Sequence, residues 1–396
     1  MNNIQIEKKD CCGCKVCAAV CPVNCITLKL DSEQFYYPKI DNIVCIDCGK
    51  CRKVCPISNK QTNSKMAQEV YAAWSKDKII RQDASSGGIF ENLARTCLEN
   101  HGVVFGAAFD DNLQLKHRYA TSIEELKPLC KSKYIQSDMN GCYKSVKDFL
   151  EKGKEVIFVG TPCQVSAIRN FLDKCYDNLY LIDLVCHGVP SQDLFNKCIN
   201  YEGKRRSVKI EKYSFRTKIN KGATPHYYTE GYIKGGIYKE RIGIYHQSPY
   251  YFGFQKRITL RPSCYECRFS NPNRVSDITI ADFHNIEKYI KKVDRMQGVS
   301  MVIVNTIKGK NLFDNVKKLL ETFPFDLKTA IQNNECLEKA TQMPDERQKF
   351  FDDMRTKDFD FVINNHLNSK KSYALSLYYS LPSQIRTVTK KIILKE

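Results

Sequence analysis

No stretch of the 396-residue sequence is apolar for long enough to span a bilayer, and residues 1–10 hold no hydrophobic signal-peptide region. The expected location is therefore cytoplasmic, where thiols stay reduced. Acidic residues are scarce, with 44 Asp and Glu against 62 Lys and Arg, for a net charge of +18. Nucleic-acid-binding motifs are also missing and the basic residues are dispersed, so nucleic acid is not an expected partner. A charge of this sign suits acidic redox partners or phosphate-bearing cofactors instead. Hydrophobic content of 42% and charged content of 27% are ordinary for a globular chain with room for two or three cores.

Cysteine is abundant, at 20 residues. Eight fall in two runs, Cys11-x2-Cys14-x2-Cys17-x3-Cys21-Pro22 and Cys45-x2-Cys48-x2-Cys51-x3-Cys55-Pro56. This is the spacing of a two-cluster ferredoxin, in which the fourth cysteine of each run ligates the other cluster. One 4Fe–4S cluster is then expected on Cys11, Cys14, Cys17 and Cys55, and a second on Cys45, Cys48, Cys51 and Cys21. Three cysteines in a tight loop can hold three corners of a cube, and the proline after the fourth stops the chain running on as helix. Gly13 and Gly49 let backbone N–H groups approach the cluster sulfurs. A pair of zinc knuckles would explain the doubled run poorly, because structural zinc ligands come in pairs.

The ferredoxin module is expected over residues 1–58, with Ile26–Leu30 and Phe35–Ile40 as a hairpin. A polar linker follows at 61–68. After a strand at Val70–Trp74 comes Ser85-Ser86-Gly87-Gly88, opening a helix that stops before Gly102. Serine caps the helix in this reading, and the glycines bare its first N–H groups for a phosphate or an oxygen-rich ring edge; an ordinary N-cap is the alternative. Val103–Phe109 and Leu113–Tyr119 read as a hairpin, and Ser122–Leu129 as a short helix with a Ser122/Glu125 capping box. Another helix spans about 143–150.

Glu155–Val159, an amphipathic helix and Leu179–Val185 form a βαβ unit, so the two strands should be parallel. Their carboxyl ends carry Gly160-Thr161-Pro162-Cys163-Gln164 and Cys186-His187-Gly188-Val189-Pro190, which places Cys163 and Cys186 at one sheet edge. Tyr227–Ile233 and Ile237–Ile242 flank Gly235-Gly236, the signature of an antiparallel insertion. With Cys264-x2-Cys267, four thiols can converge on a third site, where iron–sulfur or zinc would suit the soft donors. The remaining eight cysteines, Cys12 and Cys25 among them, read as plain thiols. Asp277–Ala281 is a further strand, ending in Asp282-Phe283-His284, and a buried strand reaches Asn305 before a helix over 310–320. The end of the chain, Tyr373 to Lys395, interleaves apolar and basic residues. It suits either a helix packed on the domain or peripheral contact with an anionic membrane.

Taken together, Cys11-Cys12-Gly13-Cys14, Ser85-Ser86-Gly87-Gly88-Ile89-Phe90, Ser132-Lys133-Tyr134, Gly160-Thr161-Pro162-Cys163-Gln164, Cys186-His187-Gly188-Val189-Pro190 and Cys264-x2-Cys267 occur in one order. From about Cys11 to Leu320 the chain resembles the family of coenzyme F420 hydrogenase/dehydrogenase beta subunits, in its bacterial form with an N-terminal ferredoxin domain. The resemblance implies a flavoprotein with FAD beside an iron–sulfur cluster. It implies an organic acceptor such as F420 or, in a plant relative, a chlorophyll side group. It also implies Cys163, Cys186, Cys264 and Cys267 as the additional metal ligands. Ser85, Ser86, Gly87, Gly88, Lys133, Gly160, Thr161 and Gln164 are then expected near the flavin. Lys133 or His187 would stabilise reduced flavin, and His187 or His284 would deliver a proton. His284 stands where a tryptophan is usual, and the chain after Thr322 has no counterpart in the pattern.

The expected architecture is an α+β ferredoxin-like domain followed by an α/β flavin-binding domain with a mixed or mainly parallel sheet. Its boundaries are 1–58, 69–153, 154–321 and a helical basic tail at 322–396. The expected function is an iron–sulfur flavoprotein oxidoreductase served by a redox partner protein or ferredoxin. An electron-relay subunit without a substrate of its own is the alternative.

Overall fold

The computed structural model describes residues 3–59, 68–219 and 222–369. Most of the expected linker and the whole basic segment 373–395 lie outside these residues. Among the described residues no helix is long and apolar enough to cross a membrane.

In the N-terminal module, β1 (Ile26–Leu30) and β2 (Tyr36–Ile40) pair antiparallel as expected. Each cysteine run wraps into a short helix, Val16–Ala19 or Lys50–Val54, entered through a left-handed residue, Lys15 or Gly49. The module is fused to the rest of the chain by a shared core. Cys14, Val16 and Val54 pack with Met139, Tyr143 and Val146, and with Ala167 and Ile168.

The larger domain is built from β3 (Glu69–Ser75), β4 (Val103–Phe109), β5 (Leu115–Ala120), β6 (Val156–Gly160) and β7 (Leu179–Leu184). After the insertion strands β8 (Val208–Ile219), β9 (Gly222–Ile233) and β10 (Tyr238–Ile244), it adds β11 (Ile278–Asp282), β12 (Ser300–Val304) and β13 (Leu320–Phe325). Eight strands form one sheet in the order β13-β3-β12-β11-β7-β6-β4-β5. The four strands β4, β6, β7 and β11 run parallel at its centre, while β5 on one side and β12, β3 and β13 on the other pair antiparallel. The sheet is therefore mixed. β6 and β12 are buried along their whole length because helices cover both faces.

Alternation along the strands separates two cores. Val104, Ile157, Val159 and Ile182 meet Leu93 and Phe313 on one face, and Val103, Val156, Phe158 and Leu181 meet Val146, Val165 and Ile168 on the other. Each large side chain fully withdrawn from water in this way contributes about 1.5–3 kcal/mol.

Four expectations need correction. The helix Ile89–Glu99 is capped by Gly88 at φ +86°, with no side-chain cap, so serine stands too early to do it. Only a turn of 3-10 helix forms at Lys127–Leu129; Glu125 accepts chiefly from the N–H and hydroxyl of Thr121, and the Ser122 hydroxyl pairs with Glu124. β13 crosses the expected boundary at residue 321 and adds an edge to the sheet. The insertion has three strands, because β8 pairs with β9 through a bulged register that hides its alternation.

Candidate metal centres and cofactor site

The crossed pattern of the ferredoxin runs is present in the packing. Cys11, Cys14, Cys17 and Cys55 line one cavity, together with Cys12. Cys21, Cys45, Cys48 and Cys51 line another, together with Cys25. Burial, reinforced by Cys11 and Cys55, pushes the Cys17 thiol up to about 12. Such thiols become thiolates by exchanging their protons for a metal. The second set reaches the surface at Cys48, which is exposed, while Cys51 is buried. Backbone Ile4 N–H donates to Cys51 Sγ at 3.2 Å.

Crossing makes a direct prediction. Cys55→Ser should damage the cluster of the first run, and Cys21→Ser that of the second, each leaving the other intact. Mössbauer spectra of the two variants check this, and parallel loss within the mutated run would overturn the crossed assignment.

The carboxyl ends of β6, β7 and β11 lie at one sheet edge because these strands are parallel. There Cys163, Cys186, Cys264 and Cys267 line a cleft between the module and the sheet. Burial, then Cys264, Cys163 and Cys267, push the Cys186 thiol well above its ordinary range. Among the described residues no three His, Cys, Asp or Glu close on a point as a single ion needs. The four thiols surround a space, which fits a cluster better than one tetrahedral ion.

Cys12 is more than the plain thiol expected of it. Its side chain interacts with both Cys14 and Cys163, so it stands between the first ferredoxin set and the third site. Cys25 likewise lies 3.4 Å from Cys21. Neither role is readable from spacing, since both thiols sit outside the repeat.

Two expected flavin contacts, Thr161 and Gln164, fall on the wall of this cleft. Gln164 Oε1 accepts from Thr161 N–H at 3.0 Å and its hydroxyl at 3.1 Å, which starts the helix Pro162–Leu172. Gln164 Nε2 donates to Ser137 Oγ at 2.9 Å, and that hydroxyl meets His117 Nδ1 at 2.9 Å. Burial pushes His117 down to about 4, so the ring is neutral, and its Nε2–H donates onward to Val159 O at 3.1 Å. Gly160 packs beneath, with Gln164 Oε1 3.1 Å from where a β-carbon would sit.

The other expected contacts gather around the loop at 85–88. Ser85 Oγ accepts from Ser132 N–H at 2.8 Å, Ser86 Oγ donates to Val299 O at 2.9 Å, and Gly87 N–H donates to Ser300 Oγ at 2.9 Å. Gly87 is needed for closeness, because a β-carbon there would lie 2.4 Å from Ala73 O. Lys133 Nζ donates to Pro128 O at 2.9 Å and Cys130 O at 2.5 Å, and burial pushes it down to about 7. Lys218 Nζ donates to the carbonyls of Arg81, Ser86 and Gln297, pinning the loop, and burial, followed by Arg216 and Arg81, pushes it down to about 7. Burial opposes the Asp282 charge, yet Arg216, with Ser86, holds its carboxyl below the usual range.

Two histidines adjoin this cluster. His284 is exposed, whereas Nδ1 of His187 lies 3.4 Å from Cys336 Sγ. Burial, with Arg257 and His284 nearby, pushes His187 down. Sequence reasoning misses Arg216 and Lys218 as site residues, since β8 itself is not foreseen, and it places Asp282 only at the end of a strand, without its partner. The N-terminus of the helix Ile89–Glu99 has no side-chain cap, and Lys218 is held against the loop before it, which is compatible with an anionic cofactor. The residues present therefore fit a phosphate-bearing flavin.

Residues 10–59 match a 4Fe-4S dicluster domain. Residues 70–143 match the N-terminal region of the coenzyme F420 hydrogenase/dehydrogenase beta subunit, and residues 153–327 its C-terminal region. An F(420)H(2) dehydrogenase subunit of Methanosarcina mazei is 25% identical over 194 residues, spanning 46% of this chain and 54% of that protein. The coenzyme F420-dependent sulfite reductase of Methanocaldococcus jannaschii is 30% identical over 194 residues, spanning 48% of this chain and 29% of that protein. The chain thus spans about half the length of the first relative and less of the second. A chain of the F420-reducing [NiFe] hydrogenase complex from Methanosarcina barkeri aligns at TM-score 0.43 with 19% identity, over 79% of this chain and 98% of that one. The chain belongs to the family of coenzyme F420 hydrogenase/dehydrogenase beta subunits, with a 4Fe–4S dicluster domain ahead of the family's two regions.

Proposed function

We propose that this chain is an iron–sulfur flavoprotein oxidoreductase in which electrons move between ferredoxin-type 4Fe–4S clusters, a third cluster and FAD, with an organic acceptor such as coenzyme F420. The single observation that carries the reading is the placement of the third thiol set. Cys163, Cys186, Cys264 and Cys267 line the cleft between the ferredoxin module and the sheet, with Cys12 between this set and the first. When bound, the flavin would supply the conversion between single-electron and two-electron steps.

This chain's own residues would do the remaining work. The exposed end around Cys48 would receive a redox partner protein or ferredoxin. Cys163, Cys186, Cys264 and Cys267 would hold the third cluster, and Thr161 and Gln164, over Gly160, would shape its wall. Ser85, Ser86, Gly87 and Gly88 would seat the flavin's anionic part at the start of the helix Ile89–Glu99. Lys218 would keep that loop in place. Lys133 or His187 would stabilise the reduced cofactor by donating a hydrogen bond to it, and His187 or the exposed His284 would exchange a proton with solvent.

Anaerobic purification with iron, sulfide and flavin measured on one sample tests the reading. About twelve irons and one flavin per chain are expected, four irons for each set of four cysteines. About eight irons without flavin would overturn it in favour of an electron-relay subunit serving a catalytic partner.

A further inference from the structure

We propose that Arg261 is a redox-tuning residue, raising the reduction potential of the cluster expected on Cys11, Cys14, Cys17 and Cys55. This rests on the cluster reading of the first cysteine run.

Arg261 is wholly buried, at 0% exposure, where the ferredoxin module meets the larger domain. Its Nε donates to Cys11 O at 2.6 Å, Nη1 to Gln136 Oε1 at 3.0 Å, and Nη2 to Tyr36 O at 2.8 Å. Nη2 also reaches Cys11 Sγ at 3.7 Å. The guanidinium lies over the Tyr37 ring, 4.3 Å from its centre. Gly13 makes room for it: a β-carbon there would sit 2.5 Å from Nη1.

All of its oxygen partners are neutral, and among the described residues no carboxylate pairs with it. A buried charge without a counter-charge is expensive, and arginine does not give up its proton. The ligand that does face it is the Cys11 sulfur. A thiolate-ligated cluster would supply the missing negative charge, and adding one electron would deepen that charge by one. The fixed cation would therefore stabilise the reduced form more than the oxidised form. Charge and hydrogen bonds at the sulfurs are established controls on cluster potential. The arginine also joins this control to the third site, since Arg261 O accepts from Cys264 N–H at 2.9 Å.

The test is a mediated redox titration of the full chain, followed by EPR, with Cys55→Ser used to assign the first cluster's signal. Arg261→Gln should lower that cluster's midpoint while leaving the second unmoved. The shift should amount to about tenfold in the electron's distribution, or 59 mV for a one-electron couple. Arg261→Lys should recover most of it. An unchanged midpoint in Arg261→Gln with both clusters retained would overturn the proposal. If Arg261→Gln loses the cluster, Gln136→Glu decides. Its carboxylate would offset the guanidinium in place, so the midpoint should again fall, and no shift would overturn the proposal. Wild-type protein without two reducible clusters would overturn the underlying cluster reading, and the tuning proposal with it.

Discussion

Cys186→Ala should remove the third set's iron and leave the ferredoxin module whole, taking the chain from about twelve irons to about eight. Cys186 follows β7 and shares the cleft with Cys163, Cys264 and Cys267. Those four come from three separate segments, and Cys12, which also lines the cleft, is engaged with Cys14 as well as with Cys163. Reduction of an organic acceptor should fall by at least about a hundredfold, the upper end of what metal sites lose when even a supporting group is removed. The EPR signals of the two ferredoxin clusters should persist. Cys264→Ala should give the same result from the opposite wall. Unchanged iron and turnover in both variants would remove the third site from the electron path.

The second large effect concerns stability. Arg274 and Asp183 form a buried ion pair at 2.9 Å, with side chains 1% and 0% exposed. Arg274 also donates to the carbonyls of Phe269, Asn271 and Leu184 and to Thr279 Oγ1. One side chain thus ties the segment after Cys267 to the end of β7, two residues before Cys186. Arg274→Met should cost about 3–5 kcal/mol, because it strands the Asp183 charge in the core. Adding Asp183→Leu should recover most of that loss, since an apolar pair of similar volume is often neutral where an ion pair stood. Chemical-denaturation midpoints of the anaerobic protein would measure both. A single variant as stable as wild type would show that the pair does not hold this corner.

How far the sequence can be read follows from how local each signal is. The ferredoxin runs repeat a ligand spacing within a few residues, so the exchange of Cys21 and Cys55 between the two ligand sets is readable without coordinates. The βαβ unit is equally plain, because apolar β6 and largely apolar β7 flank an amphipathic helix, and parallel pairing then brings Cys163 and Cys186 to one edge. The strand β8 is not, since its bulged pairing with β9 breaks the alternation that marks a half-buried strand. The expected serine cap fails for a similar reason: Ser85 and Ser86 spend their hydroxyls on distant backbone partners, Ser132 and Val299.

What the sequence determined by itself was the chemistry: thiol-held clusters, an α/β sheet with a loaded carboxyl edge, and the family to which both belong. Ligand spacing and strand period are short-range properties, and they are written in consecutive residues. Tertiary structure alone decided which side chains act on that chemistry. Arg261 is one of 62 basic residues in the sequence, and nothing adjacent to it distinguishes it. Its partner Cys11 lies 250 residues away in the chain. Cys12 gains its place between two sites only when the ferredoxin module docks on the sheet. A charge or a thiol acquires its role from what is buried around it, and burial is assembled from segments that the linear order keeps apart.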